Sequence, residues 1–345
     1  MDDRQEDSVR AVLEQEHGSA DVLRVSEVAK PQAGPQQIVL RVEAAGLNRA
    51  DSLQRRGLYP PPPGAGPIYG LEAAGTVIQV GAGLPKSLLG QRRMALLSAG
   101  GYADYVAVAL SHTLPVPAQL SFLEAAGIME VAATVYSNLV LTCGLDIQTR
   151  GASTLTALIH GGTGGVGLHA IDLLKHLGLK IFATASSPEK CAYLSSLGVQ
   201  AINYSSTDFA DFIAEQAPAG LNYILDPVGA AYLPRHLDIM AEDAHLAIIG
   251  LIGGAKAEVN LAQMLSKRLS IHATSLRSRS SQEKTRIVAG LGKDIWPLLA
   301  AGIIKPHLDK VFKLEDLEAA HRYFDSGSHR GKVVLALGPA AEEGQ

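Results

Sequence analysis

The stretch Leu155-Thr156-Ala157-Leu158-Ile159-His160-Gly161-Gly162-Thr163-Gly164-Gly165-Val166-Gly167-Leu168-His169-Ala170-Ile171-Asp172-Leu173-Leu174 decides the fold. Its first six residues read as a buried strand, and the apolar spacing from Leu168 onward reads as a helix. Between them Gly162, Thr163, Gly164, Gly165, Val166 and Gly167 fit G-x-G-x-x-G. That pattern is weak alone and gains meaning from a strand before it and a helix after it. Such a turn lets backbone approach a pyrophosphate, whose charge is favoured by free N–H groups and the positive end of the helix. The plainer alternative is a glycine turn that only tightens helix–strand packing.

Five more apolar runs follow, at 180–185, 201–204, 223–226, 245–250 and 269–274. Amphipathic segments lie between most of them. This alternation predicts a doubly wound parallel sheet of the Rossmann type over residues 131–275.

The cofactor choice is read at the end of the second strand, where NAD-binding chains usually place an acid for the ribose 2′-OH. Here the sequence is Ala185-Ser186-Ser187-Pro188-Glu189-Lys190. Two hydroxyls and a cation suit a 2′-phosphate, and Tyr204 adds a hydroxyl from the neighbouring strand. Ser186, Ser187, Lys190 and Tyr204 therefore predict NADPH rather than NADH, with Glu189 expected to face elsewhere on its helix. On the alternative reading Ser186 or Ser187 caps that helix and Lys190 is solvated.

Residues 8–125 have a different texture, with short strands such as 38–42, 75–80 and 103–108 between Gly/Pro turns. They read as a β-rich unit. The prolines at 60–63 exclude a helix there and cannot donate to a sheet ladder. After 275 come a long helix near 282–300, a shorter one at 314–324 and a strand at 332–337. This segment is too short for a third domain and is expected to return to the first unit. The expected organisation is a discontinuous domain of residues 1–130 and 276–345, with residues 131–275 inserted.

Composition agrees with a soluble α/β protein. The chain has 345 residues, 47% hydrophobic and 19% charged, enough for two cores. A net charge of −4 gives no electrostatic case for nucleic acid or an anionic membrane. Residues 1–7 are acidic and polar, unlike a secretory signal, and no apolar run approaches an uninterrupted ~20 residues, so the cytosol is the expected location. Cys143 and Cys191 are the only cysteines, which excludes a disulfide framework and a four-cysteine zinc site. The 11 histidines form no compact H-x-x-x-H pattern. His17, His112 and His245 read as surface or packing residues.

Several blocks now carry a resemblance. They are Leu47-Asn48-Arg49-Ala50-Asp51, Gln54-Arg55-Arg56-Gly57-Leu58-Tyr59, Pro61-Pro62-Pro63-Gly64-Ala65 and Gly70-Leu71-Glu72-Ala73-Ala74-Gly75. The glycine turn, Ile224-Leu225-Asp226, Ser275-Leu276-Arg277-Ser278-Arg279 and Gly331-Lys332-Val333-Val334-Leu335 complete the set. In this order the chain resembles the medium-chain dehydrogenase/reductase superfamily over essentially its full length. Within it the chain is similar to the zinc-free quinone oxidoreductases of the zeta-crystallin type. The resemblance implies a GroES-like catalytic domain, an inserted Rossmann NADP-binding domain, a cleft between them, and a homodimer or homotetramer. It implies NADPH as cofactor and a small quinone or other activated acceptor as partner.

Zinc enzymes of that superfamily carry Cys and His ligands near the equivalents of Asn48 and Leu71. Leucine cannot ligate a metal, asparagine is a poor zinc ligand, and Glu72 alone does not hold the ion. Without a Lewis acid a simple ketone is a poor acceptor. A quinone yields a hydroquinone anion with delocalised charge. The resemblance places Tyr59, Asn48 and Asp51 at the catalytic site, with Asp51 equally suited to bracing its turn and Tyr59 to packing beneath its loop. It places Thr134 against the nicotinamide and Ser275, Leu276 and Arg277 in the segment that closes over it, while Gly250 and Leu251 follow the fifth strand at its carboxyl end, where open α/β sheets bind ligands. Thr134 is alternatively a helix threonine bonded to its own backbone. Lys332 is either a cofactor contact or a solvated strand-edge lysine. Reduction of enoyl thioesters and non-catalytic NADPH binding are the alternative functions.

Overall fold

The computed structural model describes residues 8–148, 151 and 154–338; the acidic start at 1–7 lies outside the described residues. The chain divides into two compact units. One comprises Met1–Ala133, Leu276–Gly302 and Pro306–Gln345, and the other Thr134–Ser275 and Ile303–Lys305.

The first unit opens with the antiparallel pair β1 (Ser8–Glu14) and β2 (Leu23–Ala29). It continues with β3 (Gln37–Gly46), α1 (Arg49–Arg55), β4 (Glu72–Val80), β5 (Arg92–Leu96), β6 (Tyr105–Ala109) and β7 (Thr113–Pro115). Two short helices, α2 (Phe122–Ala125) and α3 (Met129–Val135), lead to the second unit. A π-helix, Tyr136–Thr142, follows directly. The stretch Phe122–Thr142 has the length and apolar composition of a membrane span, yet 78% of that window is buried inside the protein. It is spent as core.

The second unit holds β8 (Thr156–Ile159), α4 (Gly165–Leu177), β9 (Lys180–Ala185), α5 (Pro188–Ser196), β10 (Gln200–Asn203) and α6 (Phe209–Gln216). It continues through β11 (Leu221–Asp226), α7 (Leu233–Ile239), β12 (Met240–Ile248), α8 (Leu261–Lys267) and β13 (Ser270–Ala273). Its six strands run in the order β10-β9-β8-β11-β12-β13, every pair parallel. In sequence terms this is 3-2-1-4-5-6, the Rossmann order. Leu158, Phe182, Ile224 and Leu246 are fully buried in it, as a sheet covered on both faces requires.

The chain then returns through α9 (Ser281–Asp294), α10 (Trp296–Ala300), β14 (Leu308–Lys313), α11 (Leu317–Asp325) and β15 (Lys332–Ala336). Strand β15 pairs antiparallel with β3, so the C-terminal segment completes the first unit's sheet, ordered β14-β15-β3-β4-β5-β7 with β6 also on β3. Gly75 marks a close approach within it: a Cβ there would lie 2.0 Å from the Arg41 carbonyl oxygen. The single helix expected near 282–300 is two helices. Pro297 lacks an N–H and crowds the carbonyl four residues back, and the helix breaks at Ile295 (φ −100°, ψ −37°).

Candidate functional site

In the second unit the glycine turn joins β8 to α4. A Cβ on Gly162 would meet the Ala183 Cβ at 2.7 Å, and one on Gly167 the Gly161 oxygen at 2.6 Å. Both glycines are therefore required for strand–helix packing. Gly164 differs, since a Cβ there meets nothing closer than 3.4 Å. Gly164, Gly165 and Val166 are partly exposed at the N-terminus of the 13-residue α4, while Thr163 is buried. First-turn N–H groups have no partner within their helix and the dipole is positive there. This cradle fits a dinucleotide pyrophosphate. Beneath it His160 accepts or donates at Thr184 Oγ1 (3.0 Å) and meets His236 Nε2 at 2.8 Å. Burial pushes both imidazoles well below their ordinary range, His236 to about 3, so the pair is a neutral structural support.

At the end of β9 Ser186 is exposed and Ser187 caps α5, its Oγ accepting from Lys190 N–H at 3.3 Å. The expectation that Glu189 faces away is corrected: its carboxylate takes a hydrogen bond from the Ser187 side chain, which lowers its pKa. A first-turn acid can reach back to the cap residue. Tyr204 is exposed and borders a cavity of about 280 Å³ with Ser205, Ser206, Thr207 and Arg235. The loop after β12 runs through Gly250 and exposed Leu251 at the carboxyl end of the sheet, where α/β sheets bind ligands. A Cβ on Gly250 would sit 2.7 Å from the Pro227 carbonyl oxygen. Thr134 is buried, and its carbonyl accepts from Asn138 Nδ2 at 2.8 Å. Ser275 is half-buried at the end of this unit.

The first unit holds a buried polar cluster around the start of α1. Asn48 is the N-cap residue; its Nδ2 donates to Glu72 Oε1 (3.0 Å) and Gly46 O (3.2 Å). Asp51 Oδ2 accepts from Asn48 N–H and from Tyr102 OH, both at 2.9 Å. Asp51 thus braces the turn. Its complete burial raises its pKa to about 6 despite those bonds. The solvated reading of Lys332 is overturned. The side chain is buried, and Nζ lies 2.6 Å from Leu47 O, 2.7 Å from Asn48 Oδ1 and 2.8 Å from Glu72 Oε1. Strand β15 is interior to the sheet, so its first residue is not at an edge. Glu72 Oε2 accepts from Glu130 N–H at 3.0 Å. Both carboxylate oxygens of Glu72 are therefore occupied, and the neighbouring Leu71 offers no donor atom. These residues do not fit a zinc site.

Tyr59 is half-buried before the proline run, and the Arg277 guanidinium lies 5.8 Å from its ring centroid. Arg277 is buried, with Nε on Ser98 O (2.8 Å) and Nη2 on Gln54 Oε1 (2.7 Å). Leu276, beside it, is half-buried.

A family model described as "Alcohol dehydrogenase GroES-like domain" matches residues 34–118, and one described as "Zinc-binding dehydrogenase" matches residues 165–290. The synaptic vesicle membrane protein VAT-1 homolog of Homo sapiens is 30% identical over 93% of this chain and 84% of its own length. The chain belongs to the medium-chain dehydrogenase/reductase superfamily. Among solved members, an Escherichia coli quinone oxidoreductase complexed with NADPH is 26% identical, covering 95% of this chain and 100% of that one, with TM-score 0.81. A CurK enoyl reductase is also 26% identical, covering 96% and 99%, with TM-score 0.83. This chain is an oxidoreductase of the superfamily, with its GroES-like and Rossmann-like folds.

Sequence reasoning toward the superfamily's site missed four side chains. Glu72, which the sequence offers as a lone metal ligand, is the counter-ion of Lys332. Tyr102 lies far along the chain from Asp51, and only the sheet brings them together. Lys284 is buried and donates to Arg277 O at 2.8 Å. Arg235 borders the Tyr204 cavity and pairs with Asp208 at 3.0 Å. The only local signal is a charged residue inside an otherwise apolar stretch, which Glu72 shows.

Proposed function

We propose that this protein reduces quinones with NADPH and without zinc. The observation that carries the reading is the ammonium of Lys332, held by Leu47 O, Asn48 Oδ1 and Glu72 Oε1. A fixed cation takes the donors that remain near the position where zinc relatives bind their ion. The residues offered to the cofactor are Gly162, Thr163, Gly164, Gly165, Val166 and Gly167 for the pyrophosphate, and Ser186, Ser187, Lys190 and Tyr204 for the 2′-phosphate. Thr134, Gly250, Leu251, Ser275, Leu276 and Arg277 are offered to its nicotinamide end, and Lys332, whose three N–H donors are taken by Leu47, Asn48 and Glu72, acts there through its charge. Bound NADPH supplies a hydride.

The protein's own groups position the acceptor and tolerate the negative charge it acquires. Tyr59 presents a ring and hydroxyl beside a buried guanidinium. Asn48 and Asp51 act by holding the α1 turn. The hydroquinone anion spreads its charge over an aromatic ring and takes its proton from water, so no residue is assigned as an obligatory acid. The protein acts in the cytosol as a homodimer or homotetramer. Likeness to the CurK enoyl reductase favours enoyl thioesters as the second substrate class. Turnover of an ortho-quinone and of a crotonyl thioester, each with NADPH, separates the two. A protein that binds NADPH and turns over neither is a binding protein only.

A further inference from the structure

His245 was expected to be a surface or packing residue, and it is not alone. In the second unit it faces His272 across the pairing of β12 with β13. In that register His245 lies opposite Ser270, so His272, two residues on, shares its face. The imidazole planes differ by 13° with centroids 5.5 Å apart, and His245 Nδ1 meets His272 Nε2 edge to edge at 3.2 Å. Tyr223 stacks on the other side of His245, also at 13°. The third member comes from the π-helix. Cys143 closes it, with its N–H on the Asn138 carbonyl at 2.9 Å. Asn138 Oδ1 accepts from Thr274 Oγ1 at 2.7 Å, which ties the helix to the segment after β13. One ligand atom from each of Cys143, His245 and His272 lies within 4.8 Å of the others.

We propose that Cys143, His245 and His272 form a binding site for a zinc-class divalent cation, with water as fourth ligand. The chemistry matches: one thiolate and two imidazoles are ligands that zinc accepts in tetrahedral geometry. Zn–N bonds of about 2.05 Å at tetrahedral angles place two nitrogens about 3.3 Å apart, so an ion can replace the hydrogen bond between His245 Nδ1 and His272 Nε2, 3.2 Å long, once the rings turn their lone pairs toward it. Cys143 is buried while both histidines are half-buried, which leaves a path for the ion and its water. A cysteine ligates as its thiolate and a histidine as its neutral imidazole. Binding breaks the S–H bond and forms a metal–sulfur bond, releasing one proton to solvent. The imidazole proton between the two rings moves to the other nitrogen of its own ring, with no net release. The ion would pin the π-helix to the sheet. The site contains none of Asn48, Leu71 or Glu72, so it stands or falls apart from the reading of the reaction.

The test is titration of the full chain, freed of metal, with Co²⁺ and then Zn²⁺. The expected result is one Co²⁺ per chain, a sulfur-to-cobalt charge-transfer band, about one proton released, and displacement by Zn²⁺. Cys143→Ser should abolish the band, and Cys191→Ser should leave it. His272→Gln should weaken binding by more than the roughly 10- to 100-fold that loss of an outer-sphere partner costs. Because Cys143 is buried, circular dichroism checks that its variant folds; His272, half-buried near the sheet edge, carries the test if it does not. Absence of the band in the wild type overturns the proposal, as does its survival in Cys143→Ser or unchanged affinity in His272→Gln.

Discussion

The ammonium of Lys332 lies 2.8 Å from Oε1 of Glu72, and both side chains are buried. Residues 260 positions apart in sequence are joined because β15 returns to pair with β3 beside β4. The pair is the electrostatic centre of the first unit's polar cluster. Removing one partner of a buried pair costs about 3–5 kcal/mol, whereas removing both is often nearly neutral. Lys332→Met should therefore lower the melting temperature sharply, and adding Glu72→Gln should recover most of the loss. A Met variant as stable as the wild type would show that the pair contributes little.

Asp51 gives a pH signature. Burial raises its carboxyl from an ordinary 3.8 to about 6. The fold then holds the proton more tightly than the unfolded chain does. Asp51 weakens nothing below about pH 3.8, and its cost grows as pH rises through about 6 to roughly 3 kcal/mol. Asp51→Asn keeps an oxygen for Asn48 N–H and Tyr102 OH. Its stability relative to wild type should therefore improve by roughly that amount between pH 4 and pH 7, measured by urea denaturation. A constant difference across this range would refute the assignment.

Lys190→Ala should raise the Michaelis constant for NADPH by about 10- to 150-fold, the equivalent of one charge-assisted hydrogen bond of roughly 1.5–3 kcal/mol, and leave NADH nearly unaffected. The bond between Ser187 and Glu189 makes this measurement informative, because it sets an acid beside the expected phosphate position. Arg235→Gln is the companion variant. Should the NADPH effect appear there and not at Lys190, the phosphate lies on the Tyr204 cavity instead.

Tyr59→Phe should retain substantial quinone turnover, and Tyr59→Ala should lose more by removing the ring. A tyrosine hydroxyl can donate a proton, but a hydroquinone anion can take one from water. A Phe variant slowed by about 10³-fold on quinones would fall in the range of lost general-acid catalysis and favour the thioester reading.

What the sequence made legible was whatever is local. The aliphatic runs of β8, β9 and β11 and the glycine turn before α4 announce themselves through period and neighbours. The break at Pro297 is equally local, but the long amphipathic pattern around it masks it. Lys332 was not legible in the same way. A lysine opening a strand looks solvated until the strand is known to be interior. Glu189 shows the limit of helical-wheel reasoning at a first turn, where a side chain can fold back on its cap. Cys143, His245 and His272 share no motif spacing. Only strand register and the π-helix bring them together.

The central claim is tested most directly by initial rates of NADPH oxidation with an ortho-quinone, using protein stripped by a strong chelator and shown metal-free by elemental analysis. A crotonyl thioester is run in parallel. Full quinone turnover by the metal-free protein, faster than thioester turnover and faster with NADPH than NADH, is the expected result. Loss of quinone turnover on stripping, restored by stoichiometric zinc in the wild type and in Cys143→Ser alike, would contradict it.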